Sequence, residues 1–106
     1  MYEFTHEKLD CYNVAREVND WIDEQGFSKE RENIEDQIQR ASDSVLLNIA
    51  EGVASEGKTR RYHLRKARAS AAECCACLDR VRIQQAADQQ QKLRRVGAML
   101  TKMIQK

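Results

Sequence analysis

Apolar residues recur along this chain at the three- and four-residue spacing of a helix, in four runs separated by weak breaks. In residues 7–25, Cys11, Val14, Ala15, Val18, Trp21 and Ile22 share one face. Gly26 suits the end of that helix, and Ser28 is the expected N-cap of the next, with Glu30 and Glu32 in its first turn. The second run, residues 29–54, carries Ile34, Ile38, Ala41, Val45, Asn48 and Gly52 in a stripe widened by Ile49. Leu47 falls off this stripe, where it could mark a subunit contact.

Residues 52–57 read as a loop, with Ser55 or Thr59 placed to cap the third helix. The third run places Leu64, Ala67, Ala71, Cys74, Leu78 and Val81 on a seam of mostly small side chains, which lets neighbouring helices approach closely. Residues 84–91 are polar and read as a connection, with Asp88 as the next N-cap. Leu93, Val96, Leu100 and Met103, with Gly97 and Ile104 beside them, define a fourth helix. Four amphipathic helices with short connections predict an all-α fold: an antiparallel up-down-up-down four-helix bundle, one domain over residues 1–106.

Composition agrees with this. Proline is absent, there are four glycines, and a third of the chain is charged. No apolar run reaches the ~18 residues of a membrane helix, and the first residues lack the basic and apolar regions of a signal peptide. The expectation is a cytoplasmic protein with no membrane partner. Cys74, Cys75 and Cys77 crowd one helix, which is not a disulfide framework.

Charge changes the picture more. Residues 1–53 set thirteen acidic side chains against five basic ones, a balance of −8. Residues 54–106 set thirteen basic against four acidic, a balance of +9, so the net charge of +1 hides a polarised chain. Lys58, Arg61, Arg65 and Arg68 follow helical spacing and form one stripe, placed nearly opposite the Leu64–Val81 seam, with Arg60, His63 and Lys66 flanking it. The stripe contains no acidic partner and sits at a helix N-terminus, where cations oppose the macrodipole and backbone N–H groups favour phosphate. A solvated charged face is the plainer reading of such a run. Arg80, Arg82, Lys92, Arg94, Arg95, Lys102 and Lys106 extend the positive field, and no aromatic residue follows Tyr62 to stack on unpaired bases. Recognition of nucleic-acid backbone and shape is therefore the form expected.

Other chemistry finds little support. Cys74, Cys75 and Cys77, even with Cys11, lack zinc-ligand spacing, so no metal and no cofactor are expected, and small thiols filling a tight seam are the better account. His6 and His63 read as isolated, and no catalytic grouping is apparent, so an enzyme is not expected. Ser42, Ser44, Asn48, Glu51, Ser70 and Glu73 are the notable polar residues on otherwise apolar helices. Asn48 needs partners if buried, and Asn48, Glu51, Ser70 and Glu73 are assigned to helix packing rather than chemistry.

The segment Arg40-Ala-Ser-Asp-Ser-Val-Leu-Leu-Asn-Ile-Ala-Glu-Gly52 resembles the four-helix bundle proteins encoded in intervening sequences of bacterial 23S rRNA genes. That group is related to the accessory variability protein of diversity-generating retroelements. Residues 48–52 are the strongest match, supported by Phe4, Leu9-Asp-Cys-Tyr12 and Ala15 near the start and by Ser70-Ala-Ala-Glu73 with Leu78 later. The resemblance implies an up-down bundle assembled into a ring, typically a homopentamer, with basic surface available to nucleic acid. This chain departs from the pattern by carrying Leu46-Leu47 where a proline is common, and Tyr12 where the first helix usually has tryptophan.

The chain supports two readings. In the first, an oligomeric bundle binds RNA or DNA through Lys58, Arg60, Arg61, Arg65, Lys66, Arg68, Arg94 and Arg95. In the second, the acidic half of one subunit, or a partner protein, docks against the basic half of another. High salt should release nucleic acid in the first case and dissociate the assembly in the second.

Overall fold

A computed structural model describes residues 1–25, 32–81 and 83–106. A 3-10 turn, Thr5–Lys8, precedes four α-helices: α1 Asp10–Glu24, α2 Glu32–Val53, α3 Gly57–Arg80 and α4 Ala86–Ile104. Helix α1 touches α2, α2 touches α3, α3 touches α4, and α4 returns to α1, while the diagonal pairs do not meet among the described residues. Side-chain contacts fix the directions. Asn19 meets Ser42 while Asp23 meets Gln39, and Asn48 meets His63 while Ser44 meets Ser70. Arg68 meets Thr101 while Cys75 meets Gln90, and Cys11 meets Met103 while Glu17 meets Lys92. In each pair one number rises as the other falls, so all four interfaces are antiparallel.

The core follows most of the stripes legible in the sequence, but Trp21, Ile34, Asn48 and Met103 of those stripes are only half-buried, and Cys77, Ala86 and Gln89 join the buried set. Val18, Ile22, Ile38, Val45, Ile49, Leu64, Leu78, Val96 and Leu100 are almost wholly enclosed, with Ala67, Ala71 and Cys74 lining the close-packed seam of α3. Leu47, as the spacing predicts, is left out: it is 67% exposed.

The helix ends differ from the expectation. Neither Ser55 nor Thr59 caps α3; its N-cap is Glu56, which makes no side-chain cap bond, and Ser55 instead donates back to the Glu51 carbonyl at 2.7 Å. Gly57 supplies the turn between α2 and α3 with a φ of +59°, a left-handed conformation that favours glycine. Asp88 is not the cap of α4 either. The helix begins earlier, at Ala86, after Gln85 in a left-handed conformation (φ 76°), so most of the polar 84–91 segment is helical. Burial explains this: Ala86 and Gln89 face the core, and Gln90 donates to the Cys75 carbonyl at 3.0 Å and to Asp79 at 2.7 Å, fastening the start of α4 onto α3. Gly26, Ser28 and Glu30, expected around the first connection, lie outside the described residues, as does Arg82.

Gln89 is buried, and its Oε1 has no hydrogen-bond partner among the described residues. An orphaned buried acceptor costs about 1–3 kcal/mol. Gln89→Met keeps the length and removes the polar atom, and should raise stability by roughly 1 kcal/mol, read as a higher urea midpoint with an unchanged slope.

Candidate nucleic-acid interface

The sequential halves of the chain become lateral halves of the bundle. Acidic α1 and α2 lie side by side, as do basic α3 and α4. Acid and base could have cancelled where α2 meets α3 and where α4 meets α1. They do so sparingly: among the described residues the ion pairs are His63 with Glu51 at 3.0 Å and Lys92 with Glu17 at 3.9 Å. The two faces therefore keep opposite fields.

The cationic residues separate into two groups. Lys58, Arg60 and Arg61 occupy the first turns of α3; the first turn holds no acidic residue, and Glu56 at the N-cap makes no side-chain cap bond to the positive helix end. Arg65 and Lys66 follow one turn on and are exposed, and the Lys66 ammonium lies 5.9 Å from the ring centroid of Tyr62, itself 57% exposed. Among the described residues no carboxylate approaches any of these cations within 4.0 Å. Arg95 is likewise exposed, on α4.

Arg68 and Arg94 differ. Arg68 does not stand opposite the seam: it is half-buried on the flank of α3 facing α4, donating from Nη1 to Thr101 Oγ1 at 3.1 Å. Thr101 in turn donates to the Gly97 carbonyl at 2.9 Å. Arg94 donates to Gln91 at 3.0 Å and borders the same inter-helix groove as Arg68.

Beneath the cationic end of α3 runs a polar chain that the sequence did not reveal as a unit. Ser70 and Ser44 share a hydrogen bond of 2.7 Å across α2 and α3. Asn48 Nδ2 donates to the Ser44 carbonyl at 2.9 Å and to Ser44 Oγ at 3.0 Å, which leaves its Oδ1 facing His63 Nδ1 at 3.0 Å. His63 Nε2 meets Glu51 Oε2 at 3.0 Å. Both imidazole nitrogens therefore face oxygen atoms of α2. His63 is thus not isolated; it links α3 to two residues of α2. The nearest sequence signal was its position beside the basic stripe, which says nothing about a partner fifteen residues away.

Glycine completes the arrangement. A Cβ built on Gly52 would lie 2.8 Å from Leu64 Cδ2 and 3.4 Å from His63 Cβ, so the bare backbone of α2 lets α3 come close at that point. Asn48 and Glu51 hold His63, Ile49 fills the core, and Gly52 receives Leu64. The 48–52 segment is therefore a fitted seat for His63 and Leu64, and it sets how the N-terminal part of α3 is presented. Of the polar residues singled out, Asn48, Glu51 and Ser70 belong to this chain, while Glu73 is exposed and bonds to none of them. Ser42 joins a second cluster, accepting from Asn19 Nδ2 at 2.8 Å, and Asp43 accepts from the same group at 2.9 Å.

The four thiols are free. Burial pushes the Cys74 thiol up to about 12, with Cys77, Cys75 and Glu73 adding to the rise. Burial also raises Cys11, Cys75 and Cys77, and at Cys75 nearby Arg94 works against it. A raised thiol stays protonated and unreactive at neutral pH. Labelling with a disulfide reagent at pH 8 should therefore modify half-exposed Cys75 first and reach Cys74 only after denaturation. Early modification of Cys74 would contradict its packing role.

No curated protein and no solved structure matches the chain. The sequence model of the 23S rRNA-intervening sequence protein family matches residues 7–106, covering the 48–52 seat, the histidine that it holds and all four helices, and the chain belongs to that family.

Proposed function

We propose that this chain is a non-enzymatic, self-associating four-helix bundle that binds the phosphate backbone of RNA or DNA. The observation that carries the reading is the cluster of Lys58, Arg60, Arg61, Arg65 and Lys66 at a helix N-terminus whose N-cap residue, Glu56, makes no side-chain cap bond, the cations being free of carboxylate partners among the described residues. Phosphates favour such a site through both guanidinium groups and orphan backbone N–H groups. Arg95 extends the field, whereas Arg68 and Arg94 contribute mainly from the groove that they border. A family named for an insertion in 23S rRNA supports an RNA context. No helix among the described residues is long and apolar enough to cross a membrane.

Binding of a structured RNA and a matched DNA duplex across a salt series tests this. Affinity should fall as salt rises, and Arg61→Glu/Arg65→Glu should weaken binding across sequences while lowering the salt slope by about two. Both positions lie outside the core, so the variant should keep its helical signal. Failure of the unaltered chain to bind either nucleic acid at low salt would overturn the proposal.

A further inference from the structure

Two surface features stand apart from the cationic end of α3. The first is a groove of about 400 Å³ between α3 and α4, floored by Ala71, Ala72, Cys75, Ala76, Leu93 and Gly97. Its emptiness comes from small side chains, and a Cβ added at Gly97 would meet nothing within 4 Å. Arg68 and Arg94 border it, and Asp79 also reaches its lining with the carboxylate occupied by Gln90. Arg68 is level with Thr101, which lies seven residues beyond Arg94 on α4, so the two guanidinium-bearing positions are about 10 Å apart along the helix axis.

The second is a ridge on α2. Leu47 is 67% exposed, with Asp43 and Glu51 each one turn away and also exposed. Eight residues separate those carboxylates, about 12 Å along the axis. Each is steadied through one oxygen, Asp43 by Asn19 and Glu51 by His63. The ridge thus presents acid, leucine, acid at nearly the spacing with which the groove presents arginine, apolar floor, arginine.

We propose that a second copy of this chain docks head to tail, with Leu47 entering the α3–α4 groove while Asp43 and Glu51 meet Arg68 and Arg94. The occupant is another copy because ridge and groove carry complementary charge at similar spacing on one sequence. The inference rests on the self-association in the proposed function and assigns its surfaces. Helix α2 does not touch α4 among the described residues, and ridge and groove lie on different faces, so the contact is heterologous. Each subunit in such a pair keeps one ridge or one groove free, which leads to a ring if the rotation closes.

The test is sedimentation of the full chain, without nucleic acid, across concentration. Leu47→Lys spoils the ridge at an exposed position, and Gly97→Leu fills the groove where a Cβ has room. Arg94→Glu, whose side chain bonds only to Gln91 among the described residues, is a second groove variant should Gly97→Leu disturb folding. The unaltered chain should assemble, each variant alone should sediment as the 12.3 kDa chain, and an equimolar mixture of ridge and groove variants should recover a dimer through its one intact interface. Assembly that survives all the substitutions overturns the surface assignment while leaving self-association standing. Variants that stay monomeric when mixed overturn the head-to-tail pairing. An unaltered chain that never associates overturns both the inference and the self-association on which it rests.

Discussion

Leu64→Ala should lower stability by about 2–5 kcal/mol, because the side chain is wholly enclosed and its removal leaves a cavity between α2 and α3. For a domain of this size each kcal/mol moves the melting temperature by roughly 4 °C, so the loss is on the order of 10–20 °C. The more discriminating measurement pairs this change with Gly52→Ala. Alone, Gly52→Ala forces a methyl to 2.8 Å from Leu64 Cδ2 and 3.1 Å from its Cγ. Overpacking of this kind costs about 1–3 kcal/mol, against which the better helix propensity of alanine returns up to about 1 kcal/mol. With Leu64 already truncated the added methyl has room, so the pair should be less destabilising than the sum of its parts by roughly 1 kcal/mol or more. Strict additivity in chemical denaturation would show that Leu64 is not what Gly52 makes room for.

Asn48→Ala should cost about 2–3 kcal/mol. It removes bonds to Ser44 and leaves His63 Nδ1 without its acceptor at a partly buried interface. His63→Ala should remove much of that penalty, so Asn48→Ala is expected to cost clearly less in the His63→Ala background than in the unaltered chain. Equal cost in both backgrounds would mean that the Asn48–His63 contact contributes nothing to holding α3 on α2. The same variants bear on function. If the seat sets how Lys58, Arg61 and Arg65 are presented, Asn48→Ala should weaken nucleic-acid binding less than reversing those arginines, because the charges themselves remain.

Much of the fold was legible because burial acts on every residue of a stripe at once. All six residues of the Leu64–Val81 seam are buried, as are Val14, Val18, Ile38, Val45, Leu93 and Leu100. Their periodicity survives any local irregularity. Helix ends were less legible because they depend on single contacts. Asp88 has a favourable capping side chain, but burying Ala86 and Gln89 and bonding Gln90 to α3 extended α4 past it. Ser55 turned back to cap the end of α2 rather than the start of α3.

The candidate site divides along the same line. Charge and its polarity belong to the sequence, and so does the cationic run at the start of α3, because neither depends on which residues meet. The resemblance carried by residues 48–52 was also readable, but its physical meaning was not. Only the tertiary structure brought His63 between Asn48 and Glu51, set Leu64 against Gly52, turned Arg68 toward Thr101, and left a groove where α3 and α4 carry small side chains. These are pairings between helices, fixed by the register in which antiparallel neighbours pack. Periodicity within a single helix determines which face is buried, not which residue of the next helix it will meet.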